Sequence, residues 1–336
     1  MKTIIKNNLM NRKTLILFLI VPGFLLNACQ KNIDVFVPDP GQLNGPDTSW
    51  YSIITPDMPV TAVKNNLVIG SYNDSIQVNA NTAYVNMPSG LQCIFPPFCC
   101  VGSTGQTITG NVKVEVILIK KKGDMIRLNK PTTSNSRLLV NGGEIFIRLK
   151  KDSNEVQLRP NIRIQIKYPD APISTQMRFF GGDESNTEHF NWLPDTNTSS
   201  NNVIPNTQGY EITTNHLHWV SSDYFYDTTG ISRVSVTADL AAYFTNANTI
   251  AFTVFTDFRS VVGMYGDISS RKFSSPRLPV GKAITVVVIS KQGNDYFLGY
   301  TNTVTATPAV GGTTQTVTVK PVLRSLSDIL SFLNSL

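Results

Sequence analysis

The chain has 336 residues, 41% of them hydrophobic, with 29 Lys and Arg against 23 Asp and Glu and a formal net charge of +6. Four of the positive charges (Lys2, Lys6, Arg12 and Lys13) fall in the first 28 residues, which leaves 25 basic against 23 acidic side chains. The bulk of the chain is therefore nearly neutral, lacks the electrostatic footprint of a nucleic-acid binder, and is apolar enough for real cores rather than disorder throughout.

Residues 1–28 read as a signal peptide. The four basic residues form an n-region without an acid, and residues 15–26 form an apolar run broken only by Pro22 and Gly23. As a helix that run spans roughly 18 Å, short of a hydrocarbon core of about 30 Å. Leu26-Asn27-Ala28-Cys29 resembles a bacterial lipobox, with Leu at −3, a small residue at −1 and Cys at +1. Asn27 departs from it, since a small or β-branched residue is more usual at −2. The resemblance implies that Cys29 becomes a lipidated N-terminus anchored in the outer membrane by several acyl chains. The bland alternative is an ordinary signal peptide with a cysteine near its cleavage site. Gln30, Lys31 and Asp34 are similar to the short stretch that follows the cysteine in Bacteroidota-type surface lipoproteins, which implies surface exposure. Residues 29–48, with Val37-Pro38-Asp39-Pro40-Gly41 and Asn44-Gly45-Pro46-Asp47, read as a tether.

From Trp50 onward the composition leans to β, with Val, Ile, Thr, Tyr and Phe punctuated by turn formers. A first β domain is expected over residues 49–230. Ile76-Gln77-Val78 and Ala83-Tyr84-Val85-Asn86 suggest a hairpin. Cys93-Ile94-Phe95-Pro96-Pro97-Phe98-Cys99-Cys100 reads as an apolar loop braced by proline. With Cys29 lipidated, the three remaining cysteines permit one disulfide, and Cys93 with Cys99 or Cys100 is favoured over a strained bridge between neighbours. A disulfide there suits an oxidising compartment. Residues 112–119 alternate and then turn continuously apolar, while 145–149 and 162–167 alternate cleanly. Asn141-Gly142-Gly143 marks a turn. Residues 195–208, rich in Asn, Thr and Ser, read as a long exposed loop.

Within this region Gly110-Asn111-Val112-Lys113-Val114-Glu115-Val116, Asp124-Met125-Ile126, Lys130-Pro131-Thr132-Thr133-Ser134, Leu138-Leu139, Gly142-Gly143-Glu144-Ile145 and Phe190-Asn191-Trp192 resemble, in order and wording, a family of Bacteroidota-type outer-membrane and surface lipoproteins. The resemblance covers roughly residues 70–226 and extends more weakly to Leu278-Pro279-Val280-Gly281 and Ile289-Ser290-Lys291. It implies β-sandwich-like domains and carries over no activity. The opening part also resembles ZU5-type β domains.

A second β domain, an Ig- or fibronectin-III-like sandwich, is expected over residues 231–322 from short strands with regular turns. Residues 302–306 are expected to pair with the last strand across Gly311-Gly312. Residues 323–336 place Leu323, Leu326, Ile329, Leu330 and Leu333 on one helical face, with Ser325 or Ser327 as cap and Asp328 near the positive end of the dipole. The fold class is thus all-β, with two sandwich-like domains and a short amphipathic C-terminal helix. That helix either packs on the body or binds a partner.

No G-x-S-x-G, phosphate-cradling loop or dinucleotide fingerprint occurs, so neither an enzyme nor a cofactor is expected. His216-Leu217-His218 places two imidazoles on one face if the segment is a strand. With His189, Asp183, Glu184 or Asp223 they would complete a metal site, and a metal-dependent hydrolase is one alternative. The aromatics Trp192, Trp219, Tyr224, Phe225 and Tyr226 lie beside Asn and Asp, which suits a sugar or peptide ligand; the alternative, which is favoured over it, is that Trp219, Tyr224 and Tyr226 plug the junction between the two β domains. The expectation is a lipid-anchored envelope protein with a non-catalytic binding or assembly role. Its ligand is a glycan or a protein, with Trp192, Trp219, Tyr224 and Tyr226 as contact residues. A structural part in an envelope complex is the other alternative.

Overall fold

The computed structural model describes residues 47–336 apart from 187–188 and 309–310. The signal peptide, Cys29 and the tether up to residue 46 lie outside the described residues. Strands account for 49% and helices for 8%, so the protein is all-β, and its sheets are sandwich-like.

The alternating segments pair antiparallel into a nine-stranded first sheet, whose main path runs Tyr72–Val78, Gly110–Ile119, Arg137–Lys151, His218–Phe225, Arg178–Asp183 and Asn191–Pro194. A five-stranded second sheet runs Asn202–Pro205, Gly209–Thr214, Ile164–Pro169, Gln92–Phe95 and Ala83–Asn86. The inward residues of the two meet in a first core, with Val112, Val114, Ile145 and Ile147 facing Phe95, Ile164, Ile166 and Ile212. Asn202–Pro205 lies in the stretch expected to be wholly loop. Its pairing with Gly209–Thr214 corrects that expectation.

The first sheet is covered on its other face too, which explains why the strand ending at Ile119 turns continuously apolar. Ile119, Phe180, Trp192 and Trp219 enter a second core together with Ile250, Phe252, Val261, Val287 and Ile289 from an eight-stranded third sheet. The third sheet runs Thr314–Thr318, Arg233–Asp239, Lys272–Pro279, Val261–Asp267, Thr249–Phe255, Ala283–Gln292, Asp295–Val304 and Val322–Arg324. It wraps its remaining face around a third core of Val236, Val262, Phe273, Val286 and Val317. Thr314–Thr318 pairs in parallel with Arg233–Asp239 rather than with the strand before it, against the expected hairpin across Gly311-Gly312. Thr48–Leu336 forms one compact unit, and its two halves share the second core. Thr132 and Val261 exchange hydrogen bonds of 2.8 and 2.9 Å, and the Asn141 N–H donates to the Arg259 carbonyl at 3.0 Å.

Three helices also line the second core. Helix α1 (Pro59–Leu67) has Pro at its first turn and buries Val60, Val63 and Leu67 on one face. Helix α2 (Lys122–Arg127) and helix α3 (Leu326–Asn334) cross closely at Gly123, where a Cβ would collide with the Leu333 carbonyl. Helix α3 starts with a capping box in which Ser325 and Asp328 satisfy each other's backbone N–H. Ile329 and Leu333 are fully buried, so this helix is part of the packed body. Burial of each is worth about 1.5–3 kcal/mol.

The cysteines differ from expectation. Cys93, Cys99 and Cys100 are buried free thiols in the first core, and the sulfurs of Cys99 and Cys100 lie 3.4 Å apart. Cys93 therefore forms no bridge to either. Burial alone pushes the Cys93 thiol up to about 12, which keeps it protonated and inert.

Candidate functional site

The four aromatic candidates do not form one site. Trp192 is 0% and Trp219 6% exposed, both inside the second core. Tyr224 packs against the first core, and Tyr226 against the third, stacked on Phe258 at 4.9 Å. Phe190 meets Trp192 edge-on at 4.9 Å, and Gly182 leaves room for this cluster, since a Cβ there would stand 2.5 Å from the Trp219 Cβ. Rings without solvent-facing area give a sugar nothing to stack on. The expectation that Trp192 and Trp219 contact a ligand is therefore corrected: their apolar area is used in packing.

His216 and His218 do not converge either. His216 precedes the strand, and His218 opens it at a φ of +63°, so strand alternation does not apply to the pair. His216 lies against Phe179 and 3.6 Å from Asp195. His218 lies against Phe146, with Glu155 at 2.5 Å and Glu184 at 3.0 Å. Phe179 belongs to the first core and Phe146 packs on the second, so the two rings sit on opposite faces of the first sheet. Among the described residues no group of three His, Cys, Asp or Glu side chains is placed to hold a metal, so the alternative of a metal site at His216 and His218 finds no support there.

A polar groove lies instead along the seam between the first and third sheets. Thr133–Ser134 pairs with the start of Arg137–Lys151, and the two residues between them, Asn135 and Ser136, have φ of +46° and +64°. Two positive φ values in a two-residue loop match the twist of a hairpin. Asn tolerates this conformation well and Ser less so. Asn191 holds the tip in place: the Asn135 N–H donates to Asn191 Oδ1 at 2.8 Å, and Asn191 Nδ2 donates to Asn135 Oδ1 at 3.0 Å. Opposite the tip, Tyr265, Arg277 and Arg233 project from the outward positions of the third sheet. Tyr265 borders three depressions of about 280, 430 and 540 Å³. His189 stands edge-on to its ring at 4.2 Å and borders two of them. Burial raises the pKa of the Tyr265 hydroxyl, so it stays a neutral donor and acceptor at ordinary pH.

A second polar cluster is sealed inside. Glu144 and Ser221 are register partners on the first sheet, as are Asn141 and Asp223 beyond a bulge. Asp223 accepts from Ser221 Oγ at 2.7 Å and from Asn141 Nδ2 at 2.8 Å, and burial lifts its pKa to about 7. Glu144 is fully buried and neither of its oxygens has a partner. Burial, reinforced by Asp223, raises its pKa well above the ordinary carboxylate value. Lys130 lies 3.6 Å over the Phe190 ring, and burial lowers its pKa to about 8. Two acids with raised pKa values suit general acid–base work, but Glu144 and Asp223 border none of the three depressions.

The groove residues Asn135, Arg137, Arg233, Tyr265 and Arg277 had no motif to mark them in the sequence. Asn191 and the Thr133-Ser134 pair did stand in the segments that resemble a family. No protein-family model matches the chain, and no curated protein matches it.

Proposed function

We propose that this chain is an exported, lipid-anchored protein of the outer membrane, carried by Cys29 and displayed at the cell surface, that binds a glycan ligand without transforming it. The observation that supports recognition is the Tyr265-centred groove, edged by an amide-locked hairpin tip and by guanidinium groups. A concave surface with a few fixed polar groups and aromatic rings in its walls suits a saccharide better than a broad protein face. The basic start, short apolar run and lipobox match support the location. Helix α3 spends its apolar face inside the body, which leaves little support for it as a partner-binding arm.

Fluorescent 30–336 protein on glycan and peptide arrays tests this reading. Saturable binding to glycans that drops in Tyr265→Ala and Asn191→Ala, with unchanged melting, supports it. A blank array, or binding indifferent to both variants, refutes the groove. Palmitate labelling of the full chain, lost in Cys29→Ser, tests the anchor independently.

A further inference from the structure

We propose that the widest part of this groove, beside Arg137, Arg233 and Arg277, binds the carboxylate of an acidic saccharide. The inference rests on the groove reading above and adds the charge of the ligand. The depression of about 540 Å³ is lined by these three arginines and by serine, asparagine, tyrosine and proline residues, with no acid among the described residues that border it.

Three arginines elsewhere in the body form ion pairs. Arg127 pairs with Asp124, Arg148 with Glu115, and Arg259 with Asp170. Arg137, Arg233 and Arg277 make no ion pair among the described residues. Arg233 stands opposite Pro279 and Arg277 opposite Ser235, so the two arginines are diagonal neighbours on adjacent strands. Both are outward positions, since Val234, Val236 and Leu278 between them are buried. Like charges so placed repel each other, and an anion between them removes the repulsion.

Arg137 approaches from the other side of the seam. Its guanidinium lies 3.7 Å over the Phe225 ring. A guanidinium carries a planar fork of N–H donors, which takes a carboxylate through two parallel hydrogen bonds. Tyr265, on the wall that carries Arg233 and Arg277, gives the sugar ring a surface to lie on. A body of nearly balanced charge that gathers three unpaired guanidinium groups in one cleft is arranged for an anion.

Titration calorimetry of the purified full chain in detergent with a galacturonate tetramer, its methyl-esterified neutral counterpart and an oligoglutamate peptide tests the proposal. Binding of the galacturonate is expected, weakening steeply from 50 to 500 mM salt. The ester should bind at least tenfold more weakly, and Arg277→Ala and Arg233→Ala should each cost about tenfold in affinity. The three arginines are exposed, so melting temperatures of the variants should match the parent. Equal binding of acid and ester, or affinity indifferent to both arginines, overturns the anion proposal. If that neutral binding still falls in Tyr265→Ala, the groove reading survives. Tighter binding of the peptide than of the galacturonate also overturns it, and no binding of any probe overturns it along with the glycan reading on which it rests.

Discussion

The sealed acids predict a pH dependence of opposite sign to the usual one. Asp223 is fully buried, and its pKa rises from 3.8 to about 7 because water is excluded from it. A carboxyl whose folded pKa lies above its unfolded value binds its proton more tightly when folded. Its contribution to stability is complete below the unfolded pKa and is lost as pH rises through about 7. The full shift corresponds to about 4 kcal/mol, of which roughly half is lost between pH 5 and 7.5. Glu144, also raised, acts in the same sense. The lowered carboxyls of Asp57, Glu115, Asp183, Asp227, Asp267 and Asp328 act in the opposite sense, but only as pH falls toward the ordinary carboxylate range. Lys130, lowered to about 8, becomes relevant above the window. The melting temperature should therefore fall by roughly 5 °C from pH 5 to pH 7.5, measured by calorimetry in buffers of matched ionic strength. Asp223→Asn keeps the shape and removes the titration, so its slope should be nearly flat. A parent protein whose melting temperature is level or rises over this window refutes the reasoning, as does an Asp223→Asn variant with the parental slope.

Gly123→Ala should destabilise the body by about 1–3 kcal/mol in urea titration, because the added methyl meets the Leu333 carbonyl where helices α2 and α3 cross. Trp192→Ala should cost about 3–5 kcal/mol as a core truncation, and a variant of parental stability would restore Trp192 as a surface residue. Thiol titration of 30–336 protein purified without reductant should find almost no reactive thiol in the native state and three after denaturation; a single thiol would reinstate the Cys93 disulfide. Ser136→Gly should stabilise by up to about 1 kcal/mol, since glycine adopts the observed φ of +64° without the steric cost that serine bears. An unchanged or lowered midpoint would show that the Ser136 side chain contributes to holding the tip.

The all-β class was legible because alternation is a local signal. Val112, Val114 and Val116 point one way whatever they pair with, and all three lie in the first core. The C-terminal helix was legible for the same reason, with its cap narrowed to Ser325 or Ser327, of which the fold uses Ser325. Helix α1 also left a trace in Pro59, Val60, Val63 and Leu67, but nine residues among many β-formers are easily passed over. What was not legible is partnership at long range. Trp192 beside Asn191 reads like a binding surface. Only the fold brings Phe190, Gly182 and Trp219 around it and closes it off. Cys93 and Cys100 are close in sequence, yet their strands pair with different neighbours, Gln92–Phe95 with Ile164–Pro169 and Cys100–Val101 with Asn154–Leu158.

The same limit explains why the groove was missed. Its arginines come from positions 137, 233 and 277, and the separation in sequence is too large for any spacing rule to connect them. They meet because the strand carrying Arg137 belongs to the first sheet while Arg233 and Arg277 belong to the third. The hydrogen bonds joining Thr132 to Val261 and Asn141 to Arg259 flank the hairpin tip and hold the segment that carries it against the third sheet. The strained φ at Ser136 persists there because pairing behind it and Asn191 beside it over-determine the turn. A hairpin tip so constrained loses little further freedom when a ligand arrives, which lowers the entropic cost of binding. The protein thus places a braced surface turn beside three unpaired guanidinium groups, an arrangement suited to recognition rather than to filling space.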